Sequence, residues 1–476
     1  MVQYVMANGA TGIYDPAVGA GAFFHAAKRY ATREARSVAL SGMEIDGEAL
    51  LQAALSGLAK EDLKEVHEGD FVRSAPTERF PAIVANPPYI RHHRISKETK
   101  ADLKGLSLRL IGKALDGRTG LHVFFLLRAL EILDDHGRLA FILPADVFEG
   151  IFAKKLWQWI TAHFCLDAVV TFTPEASPFP GVDTNPIIIL IRRECQQDAY
   201  VWARCKHADG GQLQGWIAAG MGECNQPHLT AEHRKIEEGI RTGLSREPGG
   251  DLGAGPTLGD FAYVQRGIAT GSNAFFFLTR SRAEELGISD EFLVGAVGRT
   301  RDVCGETITS ETLDNLDRKG RPTRLFCLDG RPLEEFPAAI RAYLVQGEAA
   351  GLSTRPLIST RRPWYKMEQR TPPAIFFAYL GRRHVRFLRN LAGIVPLTGF
   401  LCVYPRRKEG DFVEKLWQVL NHPQTIENLK YVSKSYGDGA LKTEPRALER
   451  LVLPVEVVNE SGLILPTSGV QMTLVA

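Results

Sequence analysis

The sequence predicts an α/β fold, with a mainly parallel sheet that has helices on both faces, followed by a second domain of mixed α+β structure. Strand-like and helix-like segments alternate along the first part of the chain, and a glycine-rich turn follows the first strand at residues 14–23. From residue 206 to 256 the composition changes to glycine and polar residues, part of which is typical of a linker. We therefore divide the chain into domains 1–245 and 246–476.

Composition excludes several classes of protein. A chain of 476 residues is long enough for two or three domains, and 45% hydrophobic residues, 24% charged residues and a net charge of +2 are typical of a globular protein. The seven cysteines are scattered without a C-x-x-C pair, which argues against a disulfide framework and against a metal site, and favours a reducing cytoplasm. No apolar run is long enough to span a bilayer, so we expect no membrane partner.

Each predicted element follows from its apolar pattern. Short apolar runs bounded by turn residues predict strands at 11–14, 37–45, 80–85, 138–143, 168–172 and 186–192. Helical apolar spacing predicts helices at 23–32, 47–58 and 121–133. From residue 257 onward, short mixed strands, many turns and clusters of arginine with aromatic residues predict the second domain.

The turn after the first strand is the first candidate ligand site. Asp15 and Ala17 open it, and Gly19 and Gly21 are small enough to let the backbone approach a ligand closely. The helix that follows offers free N–H groups at its start. The alternative is a plain tight turn from strand to helix.

Acidic residues mark the next two candidate positions. Glu44 ends the second strand, where a carboxylate can accept hydrogen bonds from two ribose hydroxyls, and Ile45 can pack on a flat base. Asp70 could accept a hydrogen bond from an adenine amine, and Phe71 could cover its ring. The alternative for Glu44 is a solvated strand end.

The sharpest motif is Asn86-Pro87-Pro88-Tyr89, directly after the apolar run 80–85. It is predicted at the carboxyl end of a strand, where ligands bind in open α/β sheets. The Asn86 side-chain oxygen and the Pro87 carbonyl can accept two hydrogen bonds from an exocyclic amine, which frees the lone pair of its nitrogen. The two prolines stiffen the loop, and Tyr89 offers a ring on which an extruded base can stack. The alternative is a turn with incidental prolines.

These motifs, in this order, resemble motifs I to IV of the gamma-class, TaqI- and Eco57I-like adenine-N6 DNA methyltransferases. Segments 121–125 and 137–144 are similar to motifs V and VI, and 178–182 with the strand 186–192 is similar to motif VIII. Segments 258–260, 266–276 and 433–442 resemble the carboxyl-terminal specificity domain of that family. The chain departs from the pattern at Gly120 and His122, and motif X is represented only by residues 2–7, so we expect an incomplete amino-terminal helix.

The resemblance implies a Rossmann-like class I methyltransferase domain with S-adenosylmethionine as cofactor, no metal, and a DNA-recognition domain after it. It implies transfer of a methyl group to the N6 amine of adenine in double-stranded DNA by base flipping, with Phe179 as the second wall of the base pocket. It also implies a restriction-modification or similar defence system in the bacterial or archaeal cytoplasm, at the nucleoid, with a cognate restriction endonuclease as a partner of a monomer or weak dimer.

Clusters of cations beside aromatic residues point in the same direction, because cations neutralise phosphates and arginine reads guanine edges. The alternative for these clusters is a salt-bridged surface. The candidate DNA-binding residues are Arg361, Arg362, Trp364, Tyr365, Lys366, Arg382, Arg383, Lys434, Tyr436 and Lys442.

Two other functions stay open at this point. An amine methyltransferase that acts on RNA or on protein glutamine could share the Asn86–Tyr89 loop, although it would not explain segment 258–276. A non-catalytic DNA-binding remnant would be consistent with the short motif X.

Overall fold

The computed structural model describes residues 1–90, 92–148, 152–179, 182, 184–207, 210–248, 255–378, 385–435 and 441–463, the side chains of 93, 434, 435, 441 and 442 excepted. The chain divides into two compact units, Met1–Gly249 and Gly250–Ala476. Among the described residues, no helix is both long enough and apolar enough to cross a membrane.

The first unit is built on a ten-stranded sheet with the order β3-β2-β1-β4-β5-β7-β6-β8-β10-β9. Strands β1 to β5 run parallel to one another, and β7 runs antiparallel between β5 and β6. The strands are β1 Gly12–Asp15, β2 Ala39–Glu44, β3 Glu65–Glu68, β4 Phe80–Ala85, β5 Leu133–Pro144, β6 Cys165–Phe172, β7 Pro186–Arg192, β8 Ala199–Cys205, β9 Cys224–Asn225 and β10 Leu229–Lys235.

Helices cover both faces of this sheet, because its central strands are apolar on both sides. One buried cluster packs α4 to α7 against the sheet, and a second packs α1, α2 and α8 against the other face. The predicted Rossmann-like α/β fold is confirmed. The helices are α1 Val2–Met6, α2 Ala22–Arg33, α3 Gly47–Leu55, α4 Phe71–Ser74, α5 Lys97–Ile111, α6 Leu121–Glu131, α7 Ala153–His163, α8 Gly210–Ala218 and α9 Ile236–Thr242.

The segment interpreted in part as a linker belongs largely to the first unit. This segment contains helices α8 and α9 and strands β9 and β10, and the two strands extend the sheet beyond β8. Arg234 of β10 is 3% exposed, and its guanidinium donates to the carbonyls of Gly243 and Arg246 at 2.9 and 2.6 Å. The indole of Trp202 in β8 donates to the carbonyl of Ser245 at 3.0 Å. These bonds fasten residues 243–246 to the sheet.

The second unit has mixed α+β structure, with three small sheets in the orders β11-β19-β16-β17-β14, β12-β15-β13-β18 and β20-β21. Its strands are β11 Ala262–Arg266, β12 Phe277–Leu278, β13 Leu293–Val297, β14 Thr307–Ile308, β15 Arg324–Phe326, β16 Ile375–Ala378, β17 Arg386–Asn390, β18 Val395–Pro396, β19 Phe400–Pro405, β20 Lys434–Ser435 and β21 Leu441–Lys442. Its helices are α10 Leu258–Phe261, α11 Asn273–Phe276, α12 Arg280–Glu285, α13 Ser310–Arg318, α14 Ala338–Ala349, α15 Phe412–Asn421, α16 Pro423–Asn428, α17 Pro445–Leu448 and α18 Val455–Glu460.

Candidate active site

Four candidate residues lie at the carboxyl ends of four neighbouring strands in the first unit. Asp15 is the last residue of β1 and Glu44 the last of β2, while Asp70 and Asn86 follow β3 and β4. Because β3, β2, β1 and β4 are adjacent and parallel, these ends meet at one edge of the sheet. This edge is where open α/β sheets bind their ligands.

The glycine-rich turn is tied to the second strand by Glu44. One Glu44 carboxylate oxygen accepts the N–H of Gly19 at 2.7 Å, and the other accepts the N–H groups of Ile45 and Asp46 at 2.9 and 3.0 Å. Gly19 and Gly21 have φ angles of +54° and +79°, in the left-handed region that other residues rarely adopt. The turn therefore requires its glycines, and Glu44 fixes its shape.

Asp15 is 1% exposed, and its carboxyl group is only half satisfied. Its Oδ1 accepts the N–H of Ala17 at 3.0 Å, while its Oδ2 has no hydrogen-bond partner among the described residues. Burial raises the pKa of Asp15 to about 7, and the nearby charge of Glu44 adds to this shift. A buried oxygen of this kind is suited to a hydrogen bond with a bound ligand.

The side chains of Asp70 and Phe71 are engaged in contacts within the protein. Asp70 is the N-cap of α4, and its carboxylate accepts the N–H groups of Val72 and Arg73 at 2.9 and 3.3 Å. Phe71 is 1% exposed and packs between Tyr14 and Phe125, so its ring has no free face.

Ile45 differs from these two residues. Its side chain is 67% exposed at the tip of β2 and is free to cover a flat base.

In the Asn86–Tyr89 loop, the amide of Asn86 is exposed, and the ring of Tyr89 is held by a hydrogen bond from its hydroxyl. Asn86 is exposed and makes no side-chain hydrogen bond within the described part of the chain, whereas Pro87 is buried. The hydroxyl of Tyr89 donates to the carbonyl of Ile142 in β5 at 3.1 Å. The N–H of Leu121 donates to the carbonyl of Ile90 at 3.0 Å, which joins the loop to the start of α6.

Phe179 lies on the segment that follows β6, half-buried, with its N–H donating to the Ser177 hydroxyl at 3.3 Å. Strands β5 and β7 separate β6 from β4 in the sheet. At about 4.8 Å per strand, the ends of β4 and β6 are roughly 14 Å apart.

In the second unit, three residues predicted to contact DNA are largely internal. The Arg361 guanidinium donates to the carbonyls of Ala269 and Thr270 at 2.8 and 2.9 Å, lies over the Phe276 ring, and has its pKa lowered by burial. Tyr365 is 6% exposed, and Trp364 is half-buried.

Arg362 and Lys366 are the exposed members of that cluster. The Arg362 guanidinium donates to the carbonyls of Ser359 and Arg361 at 2.7 and 2.8 Å, so Lys366 is the better candidate to meet a phosphate. Lys434 and Lys442 are backbone partners in the antiparallel pair β20–β21. Arg382, Arg383 and Tyr436 lie outside the described residues.

Two family matches follow the division of the chain. Residues 40–179 match the family described as Eco57I restriction-modification methylase, and residues 253–467 match the C-terminal domain of the Type II methyltransferase M.Eco57I. The chain belongs to the Eco57I-type restriction-modification methylases. Its cofactor is S-adenosylmethionine.

Similar proteins are consistent with this membership. The methylase is 24% identical to Type II methyltransferase M.AccI of Acinetobacter calcoaceticus over 460 residues, 94% of this chain and 83% of that protein. It is 28% identical over 161 residues to a tRNA1(Val) (adenine(37)-N6)-methyltransferase of Actinobacillus pleuropneumoniae serotype 7 (strain AP76), 31% of this chain and 64% of that protein. The Type IIL restriction-modification enzyme MmeI, solved in complex with DNA, has the same fold, with a TM-score of 0.58, 12% identity, and coverage of 98% of this chain and 71% of that chain.

The residues at the carboxyl ends of the four strands have properties that suit S-adenosylmethionine. Asp15 offers an unpaired buried oxygen, the turn at Gly19 leaves backbone close to the surface, and Ile45 offers an apolar face. We propose that these residues, with Glu44, would hold S-adenosylmethionine.

Two residues near the Asn86–Tyr89 loop are missing from the sequence-based candidates. His122 is 4% exposed and packs edge to face with Tyr89 at 6.0 Å between ring centres. Asp146, just after β5, is 3.4 Å from His122 Nε2. The departure from the family pattern at position 122 is the sequence signal that could have drawn attention to them.

Proposed function

We propose that this chain transfers a methyl group from S-adenosylmethionine to the N6 amine of adenine at a specific site in double-stranded DNA. The observation that carries the proposal is the Asn86–Tyr89 loop, with an exposed, unengaged amide at the edge where Asp15 and Glu44 also lie. A cognate restriction endonuclease would act on the same site, as the family name suggests.

Asn86 and Pro87 hold the amine in this proposal. The nitrogen of an aromatic amine is a poor nucleophile because its lone pair is delocalised into the ring. The Asn86 side-chain oxygen and the Pro87 carbonyl accept its two N–H bonds and favour a tetrahedral nitrogen with a free lone pair. When bound, S-adenosylmethionine supplies an electrophilic methyl group on a positively charged sulfur. The surplus proton of the methylated amine leaves to solvent.

Tyr89 and Phe179 hold the base. An adenine inside a duplex is out of reach, so it must leave the stack and be captured by new contacts. The Tyr89 ring, fixed at its hydroxyl by the Ile142 carbonyl, is a prepared stacking surface. Phe179 closes the other side. Rate enhancement then comes mainly from positioning.

The experiment is single-turnover methyl transfer with Asn86→Ala, paired with the fluorescence of 2-aminopurine at the target base. We expect the rate constant to fall about a hundredfold or more, with cofactor and DNA affinity little changed, because one preorganised acceptor is lost. Asn225→Ala, an exposed asparagine on β9, is the matched control and should behave like wild type. Methylation by Asn86→Ala at the wild-type rate would rule out this mechanism.

RNA is the second candidate substrate, because part of the chain resembles an enzyme named for methylation of adenine in tRNA. Transfer of methyl groups to duplex DNA and to tRNA, measured side by side, separates the two substrates. We expect transfer to DNA, since residues 253–467 match the C-terminal domain of a Type II methyltransferase.

A further inference from the structure

The imidazole ring of His122 lies in a tightly packed site at the start of α6. It lies in the first turn of α6, 4% exposed, two residues after the N-cap Gly120. A Cβ atom at Gly120 would lie 2.6 Å from the Cε1 atom of His122. No residue larger than glycine fits there without moving the imidazole, so the two positions depend on each other.

The His122 ring is buried at a cost. Neither Nδ1 nor Nε2 has a hydrogen-bond partner among the described residues. The Asp146 carboxylate, 3.4 Å from Nε2, is within ion-pair distance but lacks the alignment of a hydrogen bond. An apolar ring of similar shape would avoid this penalty, and a buried polar group that is not satisfied calls for a functional reason.

The Tyr89 ring needs a second constraint. Its hydrogen bond to the Ile142 carbonyl is made by the hydroxyl, which lies on the long axis of the ring. That bond leaves rotation about the axis free, so it does not set the plane of the ring. His122 contacts Tyr89 at an interplanar angle of 77°, an edge-to-face contact that does set the plane.

We infer that His122 is a positioning residue that fixes the plane of the Tyr89 ring, and that Asp146 holds the His122 ring in place. This inference rests on the proposed function, because the plane of Tyr89 matters only if a base stacks on it. Asp146 is suited to this task because it follows β5, the strand that also anchors the Tyr89 hydroxyl. Neither residue has to touch the cofactor.

The test is a double-mutant cycle on His122→Ala and Tyr89→Ala, read out by 2-aminopurine fluorescence and by single-turnover methyl transfer. We expect His122→Ala to weaken base capture about three- to tenfold while the affinity for S-adenosylmethionine stays within about twofold. In the Tyr89→Ala background the same change should have no further effect on capture, because there is no ring to orient. His163→Ala, an exposed histidine on α7, is the control.

The possible outcomes are distinct. Losses that add in the double variant, or unchanged capture in folded His122→Ala, would overturn the inference while leaving the function in place. Unchanged capture in Tyr89→Ala would overturn both.

If His122→Ala does not fold, Asp146→Ala takes its place, because Asp146 is exposed and its loss leaves no cavity. It should weaken capture in the wild-type background and have no effect in a His122→Phe background. Equal effects in the two backgrounds, or no effect in either, would overturn the inference.

Discussion

Replacing Asp15 with asparagine tests whether the sheet edge holds a neutral carboxyl group. Asparagine keeps the shape of the side chain and can still accept the Ala17 N–H, but it cannot ionise. Burial raises the pKa of Asp15 from 3.8 to about 7. At about 1.4 kcal/mol per pH unit, ionising this group in the folded protein costs about 4 kcal/mol.

The sign of the pH dependence follows from the raised pKa. Between pH 3.8 and about 7 the folded chain keeps the Asp15 proton while the unfolded chain loses it. The contribution of Asp15 to stability is therefore complete below pH 3.8 and is lost as the pH rises through about 7. The Asp15→Asn variant has no such loss. Its stability advantage over wild type should widen by about 1.4 kcal/mol per pH unit from pH 4.5 and level off above about pH 7.

Calorimetric melting of both proteins between pH 4.5 and 8.5 measures this difference. The melting transition of the first unit is identified by its upward shift on addition of S-adenosylmethionine. The gap in melting temperature should grow by on the order of 10 °C across this range. Asp62→Asn is the matched control: the hydrogen bond from Lys28 lowers the pKa of Asp62 below 3.8, so this carboxyl is ionised in the folded and unfolded chain throughout the range, and its gap to wild type should not change with pH. A gap between wild type and Asp15→Asn that does not change with pH would refute the reasoning.

Three further substitutions distinguish residues that bind a ligand from residues that stabilise the fold. Glu44→Ala removes the acceptor of three backbone N–H groups, so it should weaken S-adenosylmethionine binding by roughly 1–3 kcal/mol in calorimetry, and unchanged affinity would contradict the assignment. Arg361→Ala should lower the stability of the second unit by roughly 1–3 kcal/mol, measured by melting, because two carbonyls and the Phe276 ring lose their partner. Lys366→Ala should leave melting unchanged, because Lys366 is exposed, and should reduce the salt dependence of DNA binding by about one ion; an unchanged salt slope would remove Lys366 from the interface.

The sequence predicted the centre of the sheet better than its edges. Strands β4 and β7 have the predicted bounds, because both are continuous apolar runs of a strand buried on two faces. Strand β3 was missed, since Glu65-Val66-His67-Glu68 is a polar edge strand with no apolar signal. Strand β10 and helix α8 were missed because glycine and polar residues around them are typical of a linker, whereas pairing with β8 decides their structure.

The candidate site shows the same limit. Its motifs locate the strand ends, because parallel strands bring their carboxyl ends to one edge whatever the loops do. Motifs do not show which side chains are already engaged in contacts within the folded protein. Arg361 is a cation by sequence, yet its guanidinium is committed to two carbonyls of its own unit. His122 departs from its motif, so the motif predicts no role for it, and its relation to Tyr89 depends on α6 starting beside the loop.

The hydrogen bonds of Arg234 and Trp202 determine where the two units can be joined in a chimaeric protein. Exchanging the second unit for that of a relative is an obvious way to seek new DNA specificity, and residue 245 is the junction suggested by composition. A cut there would remove the Arg246 carbonyl from Arg234, and would also separate Arg204 from its ion pair with Glu247. A guanidinium that is 3% exposed would then lose an acceptor. Chimaeras joined after Glu247 should therefore express as stable proteins more often than those joined two residues earlier.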